Sequence, residues 1–127
     1  MTVNAHKNQK AIVIVSHGSR SPQTKLEIRR LVARIQKIRS HDIVDFAFLE
    51  IESPSIPEGI YHAIDQGAKH VLILLNFLNS GRHVNIDIPA IVQDAKKKFP
   101  SVNFKISKPV GQHPKIVKLF EDLIKAN

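Results

Sequence analysis

The chain has 127 residues, 43% of them hydrophobic, no cysteine and a net charge of +8. This length suits a single domain, the apolar content excludes a disordered chain, and the lack of cysteine excludes disulfides and thiolate metal sites. The positive charge favours an acidic partner. The lysines are dispersed and the aromatic residues scarce, however, which argues against a nucleic-acid-binding module.

The polar residues 1–10 predict an N-terminal tail, and residues 11–127 a single domain. Neither the apolar core of a signal peptide nor a run of membrane-spanning length stands out in the sequence. We therefore expect a soluble, cytoplasmic protein with neither a membrane nor a nucleic acid as partner.

Predicted strands and helices alternate four times along the chain. Apolar, β-branched runs predict strands at residues 11–15, 43–49, 70–77 and 102–107. Helical spacing and capping signals predict helices at residues 24–39, 55–66, 87–99 and 116–125, the second and third capped by Ser55 and Asp87. We expect five side chains of the last helix to face inward: Ile116, Val117, Leu119, Phe120 and Leu123. Such units predict an α/β fold of three layers, with a four-stranded, mainly parallel sheet and helices on both faces.

Candidate ligand-binding residues follow the predicted strands, at the edge where parallel α/β sheets bind their ligands. His17 follows the first strand, Glu50 the second and His83 the third. Imidazole and carboxylate groups suit divalent zinc, nickel, cobalt and iron. The two histidines meet only if the first and third strands are neighbours, as they are in common doubly wound sheets. The alternative for each histidine is a loop residue that bonds a backbone carbonyl.

Small and basic residues surround both histidines. Gly18, Ser19, Ser80 and Gly81 are either turn residues or positions that let a large planar ligand approach the backbone. The neighbouring arginines, Arg20 and Arg82, are either surface residues or groups that bind substrate carboxylates in a bidentate manner.

Four stretches resemble the CbiX-type sirohydrochlorin chelatases in their short, single-domain form. They are VSHGSR at 15–20, AFLEIESPSIPEGI at 47–60, NFLNSGRHVNIDIPAIV at 76–92 and PVGQHP at 109–114. The resemblance implies a chelatase-like fold and an enzyme of the lyase class. Its reaction would insert a divalent metal, Co²⁺ before Ni²⁺ or Fe²⁺, into sirohydrochlorin for cobalamin, sirohaem or a related tetrapyrrole. The metal is then a substrate, no cofactor is permanently bound, and the chain is expected to form a homodimer.

The resemblance also implies roles for individual residues. His17 and His83 are expected to hold the metal, with Glu50 as a third catalytic residue that acts as ligand or base. One of these three groups is expected to accept a proton from the ring. Substrate binding is assigned to Ser16, Gly18, Ser19, Arg20, Asn79, Ser80, Gly81 and Arg82.

The chain departs from the family pattern beside these residues. Ser16 stands where many members have glycine, and Asn76 where proline is common. Asn79 and Ser80 replace a more apolar stretch. These departures remove no expected metal ligand.

Two other functions remain open at this point. A histidine phosphatase would use a histidine after the first strand, but it needs an arginine directly before it, and here Ser16 precedes His17. A non-catalytic carrier of metal or tetrapyrrole would use the same residues as a chelatase, and only turnover separates the two.

Overall fold

The computed structural model describes residues 9–127, and residues 1–8 of the predicted tail lie outside this range. Its sheet consists of β1 (Lys10–Ser16), β2 (Ile43–Phe48), β3 (His70–Leu75) and β4 (Asn103–Ile106). The strands are all parallel, in the order β2-β1-β3-β4. The predicted α/β fold is thus confirmed, and the first and third strands are neighbours as the candidate site requires.

The helices cover the two faces of the sheet unequally. Alternate residues of β1 point to opposite faces, because side chains alternate along a strand. Ile12 and Ile14 belong to the smaller apolar cluster, which packs against α1 (Pro22–Ile38). The larger cluster on the other face includes Val13 and Val15. This larger cluster lies beneath α2 (Ile56–Asp65) and α3 (Ile88–Lys98).

The start of α2 confirms Ser55 as its N-cap. The Ser55 hydroxyl accepts a hydrogen bond from the backbone N–H of Glu58, and the Glu58 carboxylate accepts one from the backbone N–H of Ser55. This reciprocal capping box satisfies two backbone donors at the helix start. The backbone N–H of Ser55, followed by its hydroxyl, lowers the pKa of the Glu58 carboxyl.

The predicted N-cap role of Asp87 is wrong. Asp87 has helical dihedral angles, makes no capping bond, and ends a π-helical turn, His83–Asp87, that runs directly into α3. The helical segment thus begins before Asp87, and the Asp87 carboxylate pairs with the side chain of His83 instead.

The prediction that α4 (Ile116–Ala126) faces the core is also wrong. None of its residues is buried, and Val117, Phe120 and Leu123 are 72%, 54% and 58% exposed. The main contact of α4 is with the short 3₁₀ turn Val110–Gln112 that precedes it. The apolar stripe that predicted a helix is present, but residues 9–127 do not bury it. Among residues 9–127, no helix has the length and apolarity needed to cross a membrane.

Candidate metal-binding site

Three loops at the carboxyl edge of the sheet bring His17, Glu50 and His83 together. Each contributes one potential ligand atom, and these atoms all lie within 4.8 Å of one another. The Nε2 atom of His17 lies 3.4 Å from a carboxylate oxygen of Glu50, and the two imidazole rings are 5.1 Å apart between centroids. The three side chains remain about half exposed. The cluster therefore opens to solvent, with room for a further ligand on a metal held there.

Main-chain hydrogen bonds fix the loop after β1 to the loop after β2. The N–H of Leu49 donates to the carbonyl of Ser16 at 2.9 Å, and the N–H of Glu50 donates to the carbonyl of His17 at 3.0 Å. The pairing of β1 with β2 thus continues past the ends of both strands. The backbones that carry His17 and Glu50 are held together independently of their side chains.

Gly18 permits this close approach of the two loops. Its φ angle is +106°, and a Cβ atom at this position would lie 1.9 Å from the carbonyl oxygen of Glu50. Any other residue would combine a disfavoured backbone conformation with a direct clash. The fold therefore requires glycine at position 18, whether or not a ligand binds nearby.

Ser16 and Asn76, the two departures from the family pattern, are hydrogen-bonded to each other. The Asn76 side-chain amide donates to the Ser16 hydroxyl at 3.0 Å, while the Asn76 backbone N–H donates to the carbonyl of Val15. Ser16 is buried. Its hydroxyl links β1 to the loop after β3. The substrate-binding role predicted for Ser16 stays a prediction.

Asp87 orients His83. The Nδ1 atom of His83 lies 2.8 Å from the Asp87 carboxylate, four residues later across the π-helical turn. This contact favours the tautomer in which the Nδ1–H of His83 donates a hydrogen bond to Asp87 and Nε2 keeps a free lone pair. Our sequence reasoning missed this partner. The signal was the four-residue spacing of a histidine and a carboxylate where a helix begins.

Of the predicted substrate-binding residues, five are exposed on the site edge: Arg20, Asn79, Ser80, Gly81 and Arg82. Ser19 is engaged within its loop, since its backbone N–H donates to the Glu52 carboxylate and its hydroxyl accepts from Ser21. His113 lies outside the cluster, and its Nδ1 atom accepts from the N–H of Lys115.

Sequence reasoning also missed exposed apolar side chains on the loops that carry the cluster. Ile51 and Leu78 are 57% and 61% exposed, and Ile86 in the π-helical turn is 54% exposed. Each is an isolated apolar residue next to polar residues in a loop. The sequence therefore showed no helical or strand periodicity that would predict whether these side chains are exposed or buried. The site edge therefore combines a polar cluster with accessible apolar groups.

Comparison with known proteins gives this arrangement a family. The family model CbiX matches residues 11–127. The chain belongs to the CbiX family. Among the relatives of this CbiX-family chain, the chloroplastic sirohydrochlorin ferrochelatase of Arabidopsis thaliana is 34% identical over 89% of the chain and 50% of the relative. The sirohydrochlorin cobaltochelatase of Priestia megaterium is 32% identical over 88% of the chain and 36% of the relative. The chain thus spans about half or less of these relatives' length.

Solved structures agree with the fold. The sirohydrochlorin chelatase SirB from Bacillus subtilis subspecies spizizenii, in complex with cobalt, superposes with a TM-score of 0.84 at 28% identity, over 93% of this CbiX-family chain and 50% of SirB. A CbiX protein from Marinobacter aquaeolei VT8 superposes with a TM-score of 0.79 at 23% identity, over 92% of this chain and 95% of that one. The second likeness concerns the fold alone.

Proposed function

We propose that this chain is a sirohydrochlorin chelatase that inserts a divalent metal into the tetrapyrrole. The observation that carries the proposal is the convergence of His17, Glu50 and His83 from three separate loops onto one exposed point. The relatives named as sirohydrochlorin chelatases support the substrate.

The three side chains form an open metal-binding set. His17 and His83 bind the incoming ion through Nε2, and the Glu50 carboxylate supplies the third ligand or takes a proton. The Nδ1 atom of His17 lies 3.2 Å from the carbonyl of Gly18, and that of His83 faces Asp87. Both contacts favour the tautomer whose Nε2 is free for the metal. Asp87 is therefore a positioning residue that acts through His83.

The reaction replaces two protons with one divalent ion. As the metal enters the macrocycle, two ring N–H bonds break and the four ring nitrogens bind the metal. Glu50 accepts one proton, and a histidine released by the departing metal accepts the other. All three groups are about half exposed, so these protons pass on to water.

The surroundings of the cluster suit a large anionic ring. Arg20 and Arg82 are exposed beside the histidines and would pair with the peripheral carboxylates of sirohydrochlorin. The exposed side chains of Ile51, Leu78 and Ile86 would contact its apolar face. The net charge of +8 attracts such a substrate from a distance.

Several finer assignments belong to the same proposal. Cobalt as the metal and cobalamin as the product are supported by the cobaltochelatase relatives and by the cobalt complex of SirB, with iron and nickel as the alternatives. A cytoplasmic location fits the lack of cysteine. A homodimer fits a chain that corresponds to half of its longer relatives.

The test follows the visible absorption of sirohydrochlorin under anaerobic conditions, with substoichiometric protein and Co²⁺, Ni²⁺ or Fe²⁺ in turn. We expect many turnovers, at a rate far above that of the mixture without protein. At most one equivalent of product, together with stoichiometric binding of metal and tetrapyrrole, would instead identify a carrier. Neither turnover nor binding would refute the proposal.

A further inference from the structure

Ile51, directly after the cluster residue Glu50, has a strained backbone conformation. Its φ angle is +72°, and within residues 9–127 it is the only residue other than glycine with a positive φ angle. This left-handed region is disfavoured for L side chains, and most of all for a β-branched one such as isoleucine. Glycine, asparagine or aspartate is the usual residue at such a position.

The fold gains no core packing from Ile51 in return for this strain. The side chain is 57% exposed, and it belongs to neither of the two apolar clusters formed by residues 9–127. An isoleucine normally stabilises a fold through its burial, whereas an exposed one in a left-handed conformation costs energy without that gain. The stability of the chain therefore gives no reason for an isoleucine at position 51.

Hydrogen bonds on both sides hold Ile51 in this conformation. The N–H of Glu52 donates to the carbonyl of Glu50 at 2.8 Å, which closes a tight three-residue turn with Ile51 at its centre. The Glu50 carbonyl also lies directly against Gly18. The Glu52 carboxylate in turn accepts from the backbone N–H of Ser19 at 2.8 Å. These contacts join the turn to the loop after β1, so Ile51 cannot relax without breaking them.

The turn places the apolar side chain of Ile51 beside the proposed metal ligands. Glu50 is its neighbour in sequence, and Gly18 directly follows His17. A Cβ atom on Gly18 would lie 3.6 Å from the Cβ atom of Ile51. A macrocycle that covers a metal held by His17 and Glu50 therefore comes close to this side chain. The apolar face of such a ring suits contact with an exposed isoleucine.

We infer that Ile51 is a substrate-binding residue whose strained turn fixes its side chain for the apolar face of the tetrapyrrole before the ring binds. Contact with the ring removes the exposed side chain from water, and a side chain that is already fixed loses little further freedom. Strained residues persist where surrounding contacts enforce them, and they cluster at ligand-binding sites. The inference deepens the proposed function and rests on it for the identity of the ring.

Replacing Ile51 should change stability and substrate binding in opposite directions. Ile51→Gly and Ile51→Asn both remove the apolar side chain and introduce a residue that tolerates the left-handed region. We expect both variants to unfold at a higher urea concentration than the parent chain. Titration with metal-free sirohydrochlorin, followed by visible absorption, should show a dissociation constant raised about 10-fold, as expected for lost burial of roughly half an isoleucine side chain. The dissociation constant for Co²⁺, measured by calorimetry, should stay within about twofold of the parent value.

Two control variants separate the side chain from the backbone. Ile51→Val keeps a β-branched apolar group at the same φ angle, so its stability and its affinity for sirohydrochlorin should both stay close to those of the parent. Ile38→Gly removes another exposed isoleucine, 79% exposed in the last turn of α1. Because that residue is helical, the change should lower the urea midpoint and leave sirohydrochlorin binding unchanged.

Three results would overturn the inference. One is a loss of stability in both Ile51→Gly and Ile51→Asn, and a second is unchanged sirohydrochlorin binding in the two variants. A third is a loss of Co²⁺ affinity as large as the loss of sirohydrochlorin affinity, which means that the turn orients Glu50 and does not contact the ring.

The same titrations distinguish failure of the inference from failure of the proposed function. A parent chain that binds sirohydrochlorin without turnover would refute metal insertion, while weaker binding by the Ile51 variants would still support the ring contact. A parent chain that binds no sirohydrochlorin would refute both.

Discussion

The loops at the site edge and the helix α4 differ in how far contacts within the chain hold them in place. At the site edge, loops after β1, β2 and β3 are joined by main-chain hydrogen bonds, and Gly18 is held against the Glu50 carbonyl at a distance that excludes any side chain. In α4, none of the apolar side chains is buried within residues 9–127. The three side chains of the proposed metal site are therefore placed by contacts within the described residues, whereas the apolar face of the last helix is left exposed there.

This contrast separates the proposed metal site from the surface of the last helix. The proposed metal site depends on a geometry within one chain, since His17, Glu50 and His83 all belong to it. The two regions should therefore respond to different substitutions, and the following experiments test that separation.

The largest effect is expected from the metal ligands. Changing His17 or His83 to alanine should reduce the rate of metal insertion at least about 100-fold. Loss of a metal ligand should cost more than loss of a residue that only orients a ligand, which usually costs about 10- to 100-fold. The measurement is the anaerobic absorbance assay with sirohydrochlorin. His41→Ala, in an exposed turn, is the control. Full activity in both single variants would contradict the assigned site.

Gly18→Ala should affect both stability and insertion. The positive φ angle and the clash with the Glu50 carbonyl should lower the free energy of unfolding by about 2–3 kcal/mol. Chemical denaturation measures this change. Gly81→Ala is the stability control, since a Cβ atom there has no neighbour within 4 Å. Equal stabilities for the two variants would show that the loops do not need their close contact.

Asp87→Asn should weaken metal binding about 10- to 100-fold while leaving the fold unchanged. Calorimetric titration with Co²⁺ measures the affinity, and the ¹⁵N chemical shifts of the His83 ring report which nitrogen carries the proton. Asp94→Asn, exposed on α3, is the matched control. An unchanged His83 tautomer, combined with unchanged affinity, would reject the positioning role.

Ser55→Ala should lower the free energy of unfolding by about 1 kcal/mol through loss of the helix cap. The control is Ser101→Ala, in an exposed turn.

The stability of the fold should depend on pH through Glu58, because the pKa of its carboxyl is lowered in the folded chain. Its contribution is present above the unfolded-state pKa and is lost as the pH falls through the folded-state value. The stability difference between the parent and Glu58→Gln should therefore shrink in acid, and a constant difference would contradict this.

The smallest effect is expected on metal affinity when α4 is altered. Phe120→Gln with Leu123→Gln should leave the Co²⁺ dissociation constant within about twofold of the parent, because distant sites act independently. Calorimetric titration with Co²⁺ measures this, with the parent chain as the reference. A large loss of affinity would show that the two regions are coupled.

Sequence reasoning succeeded where local chemistry determines the structure. The β-branched run after Lys10 predicts β1 because only a strand covered on both faces uses such a pattern. Ser55 predicts its helix start because its hydroxyl and Glu58 satisfy each other locally. The meeting of His17 with His83 followed from a general rule of strand order, which the observed sheet obeys.

The failures involve interactions that the local pattern does not contain. Asp87 resembles an N-cap in sequence, but the π-helical turn begins four residues earlier and directs the carboxylate to His83. An amphipathic stripe predicts that α4 buries one face, yet the pattern is silent on whether the covering surface belongs to the same chain. The buried pairing of Ser16 with Asn76 depends on strand neighbours and lies equally beyond local reasoning.

The origin of the cluster on three loops has a consequence for the life of the protein. His17, Glu50 and His83 meet only in the folded sheet, so the unfolded chain has no equivalent site. An ion bound at the proposed site would be a ligand of the native state alone, and its binding free energy would add to that of folding. Binding at the proposed site would then raise the chain's resistance to proteolysis when metal is abundant.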